Sequence, residues 1–204
     1  MQTIDGKVIY TEIEEIVDPS HTALVVWDVQ NITVNFIFNK DEFLGNLNSL
    51  IQSARESKVP IFYTAIRPPP LKYQSSVTIY TLSRFFGQQL QLTEQDLNLA
   101  VKPSQDETTI YKNAASIFIG TDFERMVRNV DVNTVIFSGI TIEGGIESSA
   151  RDALNRDFYS VVISDAVSSL DQESHTRSLE NMKKMINIVP SKQLINIWSR
   201  TQKH

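Results

Sequence analysis

The stretch Ser138-Gly139-Ile140-Thr141-Ile142-Glu143-Gly144-Gly145-Ile146 follows an apolar run, 134–138, and leads into a segment with helical periodicity, 146–154. An apolar strand, a small-residue turn and a helix in this order are typical of an α/β fold. Backbone amides at such a helix N-terminus are free to bind an anion or a developing oxyanion. The alternative is a tight turn that needs glycine only for its backbone dihedral angles. The glycine pair alone does not separate these two interpretations.

Short, continuous apolar runs predict the strands of a parallel sheet that is covered on both faces. These runs are 23–27, 60–65, 134–138 and 159–163. Segments with helical spacing lie between them. The alternation predicts right-handed βαβ units and therefore an α/β fold, a three-layer, doubly wound, mostly parallel sheet with helices on both faces. Ligands on such sheets bind at the carboxyl ends of the strands.

Apolar stripes and capping residues predict the helices between these strands. One stripe consists of Phe43, Leu47, Leu50, Ile51 and Ala54; a second of Phe123, Met126, Val127 and Val130; a third of Ile146, Ala150, Ala153 and Leu154. Thr121 and Glu124 have the spacing of a capping box. Asp171 or Ser174 can cap a helix that runs through 179–185.

The middle of the chain is less regular. The sequence Arg67-Pro68-Pro69-Pro70 must break a helix and begin a loop. We expect a long loop from residue 71 to about residue 99, with one helix around 81–86. Loops of this length are often lids or binding loops, and a surface excursion without function is the alternative. Because no repeat or second domain is found, a single domain over residues 1–204 is expected.

Composition excludes several classes of function. The chain has 204 residues, a net charge of −5 and no cysteine. Disulfides, thiolate metal sites and cysteine catalysis are therefore excluded. The acidic balance and the lack of a basic cluster argue against a nucleic-acid partner. No run of 18 apolar residues and no signal-peptide pattern in 1–15 is present, so we expect a cytoplasmic protein without a membrane partner.

Two ionisable residues stand where a doubly wound sheet places its ligands. Asp28 closes the apolar run 23–27. Burial there raises the pKa of a carboxyl group, which allows it to exchange protons near neutral pH, although an Asp that caps the next turn is the alternative. Lys112 lies between a polar stretch and 116–118. A lysine in such a place is usually solvated, and by itself it indicates little.

Taken in order, four motifs resemble those of the isochorismatase-like hydrolase family. The first is Val-Val-Trp-Asp-Val-Gln-Asn at 25–31. The others are Tyr111-Lys112 with Phe-Ile-Gly-Thr-Asp-Phe-Glu at 118–124, the segment 139–153, and Val-Val-Ile-Ser-Asp-Ala-Val-Ser at 161–168. The resemblance spans roughly residues 20 to 185. It implies the doubly wound fold predicted above.

The resemblance also assigns roles to individual residues. Asp28 would be the acid/base. Lys112 would be the cation that orients neighbouring charged groups or lowers their charge. Ile140–Thr141 would be a cis peptide bond, and Gly144 and Gly145 would form the oxyanion loop. Gly145 stands where most of the family has its nucleophilic cysteine. The predicted catalytic positions are Asp28, Lys112 and Gly145, and the predicted substrate contacts are Ile140, Thr141, Gly144 and Arg67.

The glycine separates two chemistries within this family. Amidases that resemble this chain need a thiolate, which Gly145 cannot supply. Isochorismatases also have glycine here, and are understood to protonate a vinyl ether from the strand-one Asp before water attacks. This chain departs from them at Thr141, where they have Tyr, and near Ile66, where they have Gln. Both changes remove polar groups that would contact a dicarboxylate, for which Arg67 or Arg84 could compensate.

The resemblance and the residues leave two functions open. One is a hydrolase of a small molecule that uses Asp28 and Lys112 without a nucleophile. The other is a catalytically inactive member that binds a small molecule or a protein. His21, His175 and His204 are scattered, so neither a metal nor another cofactor is expected. A homodimer or homotetramer is implied by the family, with an interface that the apolar residues of 194–198 could cover; packing of that segment on its own domain is the alternative.

Overall fold

The computed structural model describes residues 1–86 and 92–201. Its strands are β1 (Gln2–Ile4), β2 (Lys7–Ile9), β3 (Thr22–Trp27), β4 (Ile61–Ile66), β5 (Thr108–Lys112), β6 (Thr134–Ile140), β7 (Tyr159–Ser168) and β8 (Asn187–Val189). Its helices are α1 (Ile13–Ile16), α2 (Asn31–Val34), α3 (Lys40–Glu56), α4 (Ser76–Phe86), α5 (Glu94–Leu97), α6 (Phe123–Arg128), α7 (Glu147–Asn155), α8 (Gln172–Met182) and α9 (Ser191–Thr201).

A six-stranded sheet with the order β5-β4-β3-β6-β7-β8 forms the centre of the molecule. All of its neighbouring strands pair in parallel. The chain runs from β3 outward to β5 and then returns to the other side of β3 with β6. The topological switch point, where crevices open in such sheets, therefore lies between β3 and β6. The predicted α/β fold class is confirmed.

Two apolar layers cover the two faces of this sheet. Successive side chains of a strand point to opposite faces, so Leu24 and Val26 of β3 join one layer and Val25 and Trp27 join the other. Helices α3 and α9 contribute to the first layer, and α6, α7 and α8 contribute to the second. The buried stripe of α3 is the one that the sequence predicts. Burial on both faces explains why the strands read as continuous apolar runs.

Several predicted boundaries differ from the structure. The capping box is wrong: Asp122 begins α6 without a side-chain cap, and the Glu124 carboxylate accepts hydrogen bonds from Arg128 and Arg156. By contrast, Asp171 caps α8 by accepting a hydrogen bond from Ser174 N at 2.8 Å. The segment predicted as a long loop with one helix around 81–86 contains α4, which includes that helix and begins five residues earlier, and also α5. Its residues 87–91 lie outside the described residues.

The C-terminal apolar segment packs on its own domain. Leu194 and Trp198 are fully buried within α9, and Trp198 Nε1 donates a hydrogen bond of 2.8 Å to Val17 O. Both residues belong to the first apolar layer, so they are not available to cover an interface. The homodimer or homotetramer stays a prediction. Within the described ranges, no helix combines the length and the apolar character needed to cross a membrane.

Candidate active site

A cavity of about 310 Å³ opens at the switch point of the sheet. Asp28 follows β3, Lys112 is the last residue of β5, and Ile140 is the last residue of β6. Because parallel strands present their carboxyl ends at one edge, the fold brings these three to the same cavity, which all of them line. The predicted catalytic and loop positions therefore meet in space, although they are distant in sequence.

The Asp28 carboxylate has a hydrogen-bond donor on each oxygen. Thr64 Oγ1, from the neighbouring strand β4, donates to Asp28 Oδ1 at 2.5 Å. Lys112 Nζ donates to Asp28 Oδ2 at 2.7 Å. The backbone of Asp28 is also fixed, because its N–H donates to Thr64 Oγ1 and its carbonyl accepts from Thr33 Oγ1. The side chain is thus held toward the cavity and does not cap the following turn.

Lys112 is enclosed rather than solvated. It is 4% exposed, and its Nζ lies 3.7 Å from the centroid of the Trp27 ring. The ammonium therefore has the Asp28 carboxylate on one side and the negative face of an indole on another. A cation on an aromatic face is attracted more strongly when it is desolvated. Both contacts favour the charged form of a lysine that burial would otherwise neutralise.

Burial and pairing act in opposite directions on the two ionisable groups. Burial is the largest influence on Asp28 and raises its pKa, while the charge and hydrogen bond of Lys112 and the hydrogen bond of Thr64 lower it without reversing the direction. Burial lowers the pKa of Lys112, and the Asp28 carboxylate opposes that change. The pKa values of the two partners are therefore moved toward each other.

Gly145 is packed against the indole of Trp27. A Cβ atom placed on Gly145 would overlap Trp27 Cε2, Nε1 and Cζ2. Trp27 thus occupies the space into which a side chain at this position would project. Gly145 itself lies in a π-helical turn, Ile142–Ile146, directly before α7. The absence of a nucleophile and the presence of this tryptophan are two parts of the same packing arrangement.

Gly145→Ala is expected to lower the free energy of unfolding by about 1–3 kcal/mol, because the added methyl group forces Trp27 or the turn to move. Urea unfolding measures this change. Gly45→Ala is the matched control, since Gly45 lies inside α3 with open space around its Cα and alanine should stabilise that helix by about 0.5–1 kcal/mol. Equal stability of the two variants would contradict the tight contact with Trp27.

The remaining predicted positions divide into two groups. Ile140, Thr141 and Gly144 line the cavity, and the Ile140–Thr141 peptide bond is cis. Arg67 is absent from the described lining, and its guanidinium carbon lies 5.3 Å from the centroid of the exposed Tyr111 ring. Tyr111 and Lys112 point to opposite faces of β5, so a residue stacked on Tyr111 is directed away from Lys112. The structure thus does not place Arg67 in the described lining, and its contact with a substrate stays a prediction.

The two histidines that the structure describes, His21 and His175, are not among the residues that line the cavity. The ring of His21 stacks on Tyr10, and the ring of His175 lies beside Phe38; His204 lies outside the described residues. In the part of the chain that the structure describes, no three His, Cys, Asp or Glu side chains are grouped as metal ligands. A catalytic metal of the kind held by three protein ligands does not fit these residues.

The sequence interpretation missed two residues of the site, Trp27 and Thr64. Thr64 had a usable signal: it is a polar residue inside an otherwise apolar run, and buried polar groups need partners. Trp27 had a weaker one, a bulky aromatic directly before the candidate acid. Its contact with Gly145 joins the end of β3 to the π-helical turn before α7, which is distant in sequence, and the sequence alone does not show that contact.

Fold and cavity together define a doubly wound α/β protein with a cavity of about 310 Å³ at the carboxyl edge of its sheet. The family model of the isochorismatase domain matches residues 22–193. The chain therefore belongs to the isochorismatase family, and the resemblance inferred from its motifs is confirmed.

Named relatives and solved structures agree with this assignment. Enterobactin synthase component B of Escherichia coli (strain K12) is 25% identical over 169 residues, which cover 80% of this chain and 58% of that protein. The chain thus spans less than two thirds of that relative's length. Phenazine biosynthesis protein PhzD of Pseudomonas fluorescens is 23% identical over 168 residues, covering 80% and 79% of the two chains. A cysteine hydrolase from Pseudomonas syringae pv. phaseolicola 1448A has the same fold, with a TM-score of 0.80, 20% identity and coverage of 89% and 94%.

Proposed function

We propose that this protein is a hydrolase that acts on a small molecule through acid–base chemistry of Asp28 and Lys112, without a nucleophilic side chain. The observation that supports this best is the buried contact of 2.7 Å between Lys112 Nζ and Asp28 Oδ2 in the lining of the cavity. Gly145 offers no nucleophile beside this pair. Acid catalysis is the chemistry that the remaining groups can perform.

The Asp28–Lys112 pair suits this chemistry because it holds a transferable proton in a dry environment. Burial raises the pKa of Asp28 and lowers the pKa of Lys112. Transfer of the ammonium proton to the carboxylate is therefore less costly than in water. The neutral carboxylic acid that results is a stronger proton donor than a lysine ammonium.

Vinyl-ether hydrolysis is the specific reaction that we propose. The Asp28 carboxylic acid gives its proton to the terminal vinyl carbon, which leaves an oxocarbenium ion and a carboxylate. Water adds to the cation and returns one proton to Asp28, and the hemiacetal then breaks into an alcohol and an aldehyde. One water is consumed, and the protein ends as it began. While Asp28 is unprotonated, the neutral Lys112 amine still donates a hydrogen bond to it, and the proton returned by water restores the ion pair.

A catalytically inactive member that binds a small molecule is the second candidate. It is favoured by the bonding of Asp28, whose two oxygens already accept hydrogen bonds from Thr64 and Lys112. A carboxylate whose two oxygens both accept hydrogen bonds can have a structural role, as one member of a rigid ion pair, and need not transfer a proton. The indole of Trp27 beside Gly145 suits a binding surface equally well.

A turnover assay with a panel of vinyl ethers tests the proposal. The panel contains phenyl vinyl ether, 4-(vinyloxy)benzoate and, as an amide control, benzamide. We expect aldehyde release from a vinyl ether above the rate in buffer, no hydrolysis of benzamide, and in D₂O one deuterium in the methyl group of the aldehyde. Binding of panel members without any turnover would favour the second candidate and contradict the first.

A further inference from the structure

Among the described residues of the cavity lining, no ionisable group is left unpaired to bind a charged ligand. Of the described residues that line it, only Asp28 and Lys112 ionise, and they pair with each other at 2.7 Å. The other polar lining groups carry hydroxyls or an amide: Thr33, Thr78, Thr81, Thr141 and Asn113. Hydroxyl and amide groups exchange hydrogen bonds with uncharged ligands without a net charge. The lining formed by the described residues therefore carries no net charge.

The cations near the mouth are directed elsewhere. Arg67 lies over the ring of Tyr111, Lys72 over Tyr73 at 4.7 Å, and Arg84 over Tyr80 at 5.9 Å. None of the three cations belongs to the described lining of the cavity. An anionic ligand would thus find no free cation in the lining.

Apart from backbone amides, Lys112 is the one positively charged group in the described lining, so an anion would compete for it. The ammonium is confined between the Asp28 carboxylate and the indole face of Trp27. A ligand that attracted it away would leave Asp28 buried without its counter-charge, and the ligand's own negative charge would then lie near that carboxylate. Both effects oppose the binding of an anion at buried charges. The pair that the proposed reaction needs is the same pair that repels an anion.

The walls of the cavity and of its neighbour favour an apolar ligand. Trp27, Ile66, Val77 and Ile140 line the first cavity. A second cavity of about 300 Å³ shares Ile66, Thr78 and Asn113 with it, so the two adjoin. Two prolines and Tyr73 extend the lining there, and no Asp, Glu, Lys or Arg side chain is among its described residues. Each volume is at the lower end of the range for small-molecule sites.

We propose that this site selects uncharged, predominantly apolar small molecules and discriminates against those that carry a carboxylate. This inference rests on the proposed function, because it names the substrate class of the same cavity. Within that function the substrate is a neutral ether, with room for a larger apolar group in the adjoining cavity.

Two matched ligands that cannot be hydrolysed test the inference. 4-Ethoxybenzamide and 4-ethoxybenzoate have the same shape and differ in charge. We expect the protein to bind the amide at least about tenfold more tightly in calorimetric titration, because the carboxylate meets an unfavourable like charge. Equal or tighter binding of the benzoate, or binding of neither ligand, would overturn the inference.

A charge added at the rim provides the reverse test. Val77 lines the cavity and is 70% exposed, so Val77→Arg should place a free cation at the mouth. The ratio of amide to benzoate affinity is expected to fall by about threefold to fivefold relative to Val77→Gln, which adds length without charge. An unchanged ratio would contradict the role of charge in the preference.

These outcomes can be separated from failure of the proposed function. Because neither ligand contains a vinyl ether, their affinities do not depend on turnover. The expected preference without turnover of any vinyl ether would contradict the hydrolase alone. Turnover of 4-(vinyloxy)benzoate in preference to phenyl vinyl ether would contradict the inference and leave the hydrolase intact.

Discussion

Asp28→Asn is expected to lower kcat/KM for a vinyl ether by about 10²–10⁴-fold, the usual contribution of a general acid. Asparagine has the same shape as aspartate and still accepts the hydrogen bond of Thr64 Oγ1, but it has no acidic proton to transfer. Asp28 has a backbone φ of 44°, a conformation that asparagine tolerates better than most residues. The loss should therefore arise from chemistry and not from the backbone.

The control for this variant must reproduce both the substitution and the backbone conformation. Asp131→Asn does so, because Asp131 is exposed and has a φ of 56°. We expect Asp131→Asn to retain the wild-type kcat/KM, and circular dichroism should show that both variants fold. Wild-type turnover by Asp28→Asn would remove Asp28 from the mechanism and with it the proposed hydrolase.

Much of the fold could be predicted because buried parallel strands have a distinctive pattern. Strands β3, β4, β6 and β7 follow the apolar runs of the sequence, since both of their faces are covered. The first part of helix α4, before the predicted residues 81–86, could not be predicted in the same way. Val77 and Tyr80 are exposed on it, so these two residues do not belong to a stripe that marks a buried face.

The site could be predicted only in part, and the reason is the same at each residue. Asp28 and Lys112 each follow or end a parallel strand, and topology alone brings such residues to one edge of the sheet. Which side chain fills a given space depends on strand register and direction across the sheet. The contact of Trp27 with Gly145 and the stacking of Arg67 on Tyr111 are of that kind. The sequence pattern predicts the strands but does not show these contacts.

Lys112→Met is expected to destabilise the protein at neutral pH by about 3–5 kcal/mol, the cost of leaving one member of a buried ion pair alone. Methionine has a similar length and removes the ammonium that donates to Asp28 Oδ2 at 2.7 Å. Urea unfolding of the variant and the wild type measures this difference. A loss of unfolding free energy below about 1 kcal/mol would indicate that the Asp28–Lys112 pair contributes no more than a solvent-exposed salt bridge.

The pH dependence of that loss identifies its source. The charge and hydrogen bond of Lys112 are among the influences that lower the pKa of Asp28, so their removal leaves burial to raise it further above the ordinary value of 3.8. A folded-state pKa raised above the unfolded value stabilises the protein fully below the unfolded pKa. That stability is lost as the pH rises through the folded pKa, with a slope of up to about 1.4 kcal/mol per pH unit.

Lys112→Met should therefore be more stable at about pH 5 than at about pH 8, relative to the double variant Asp28→Asn/Lys112→Met. The double variant has no carboxyl group at residue 28, so all other titrating groups cancel in the comparison. Above the folded pKa, the carboxylate of the single variant is ionised, buried and without its cation, and the double variant should then be the more stable protein. A difference between the two variants that does not change with pH would mean that Asp28 does not titrate in this window. The buried pair would then be no source of protons for the proposed reaction.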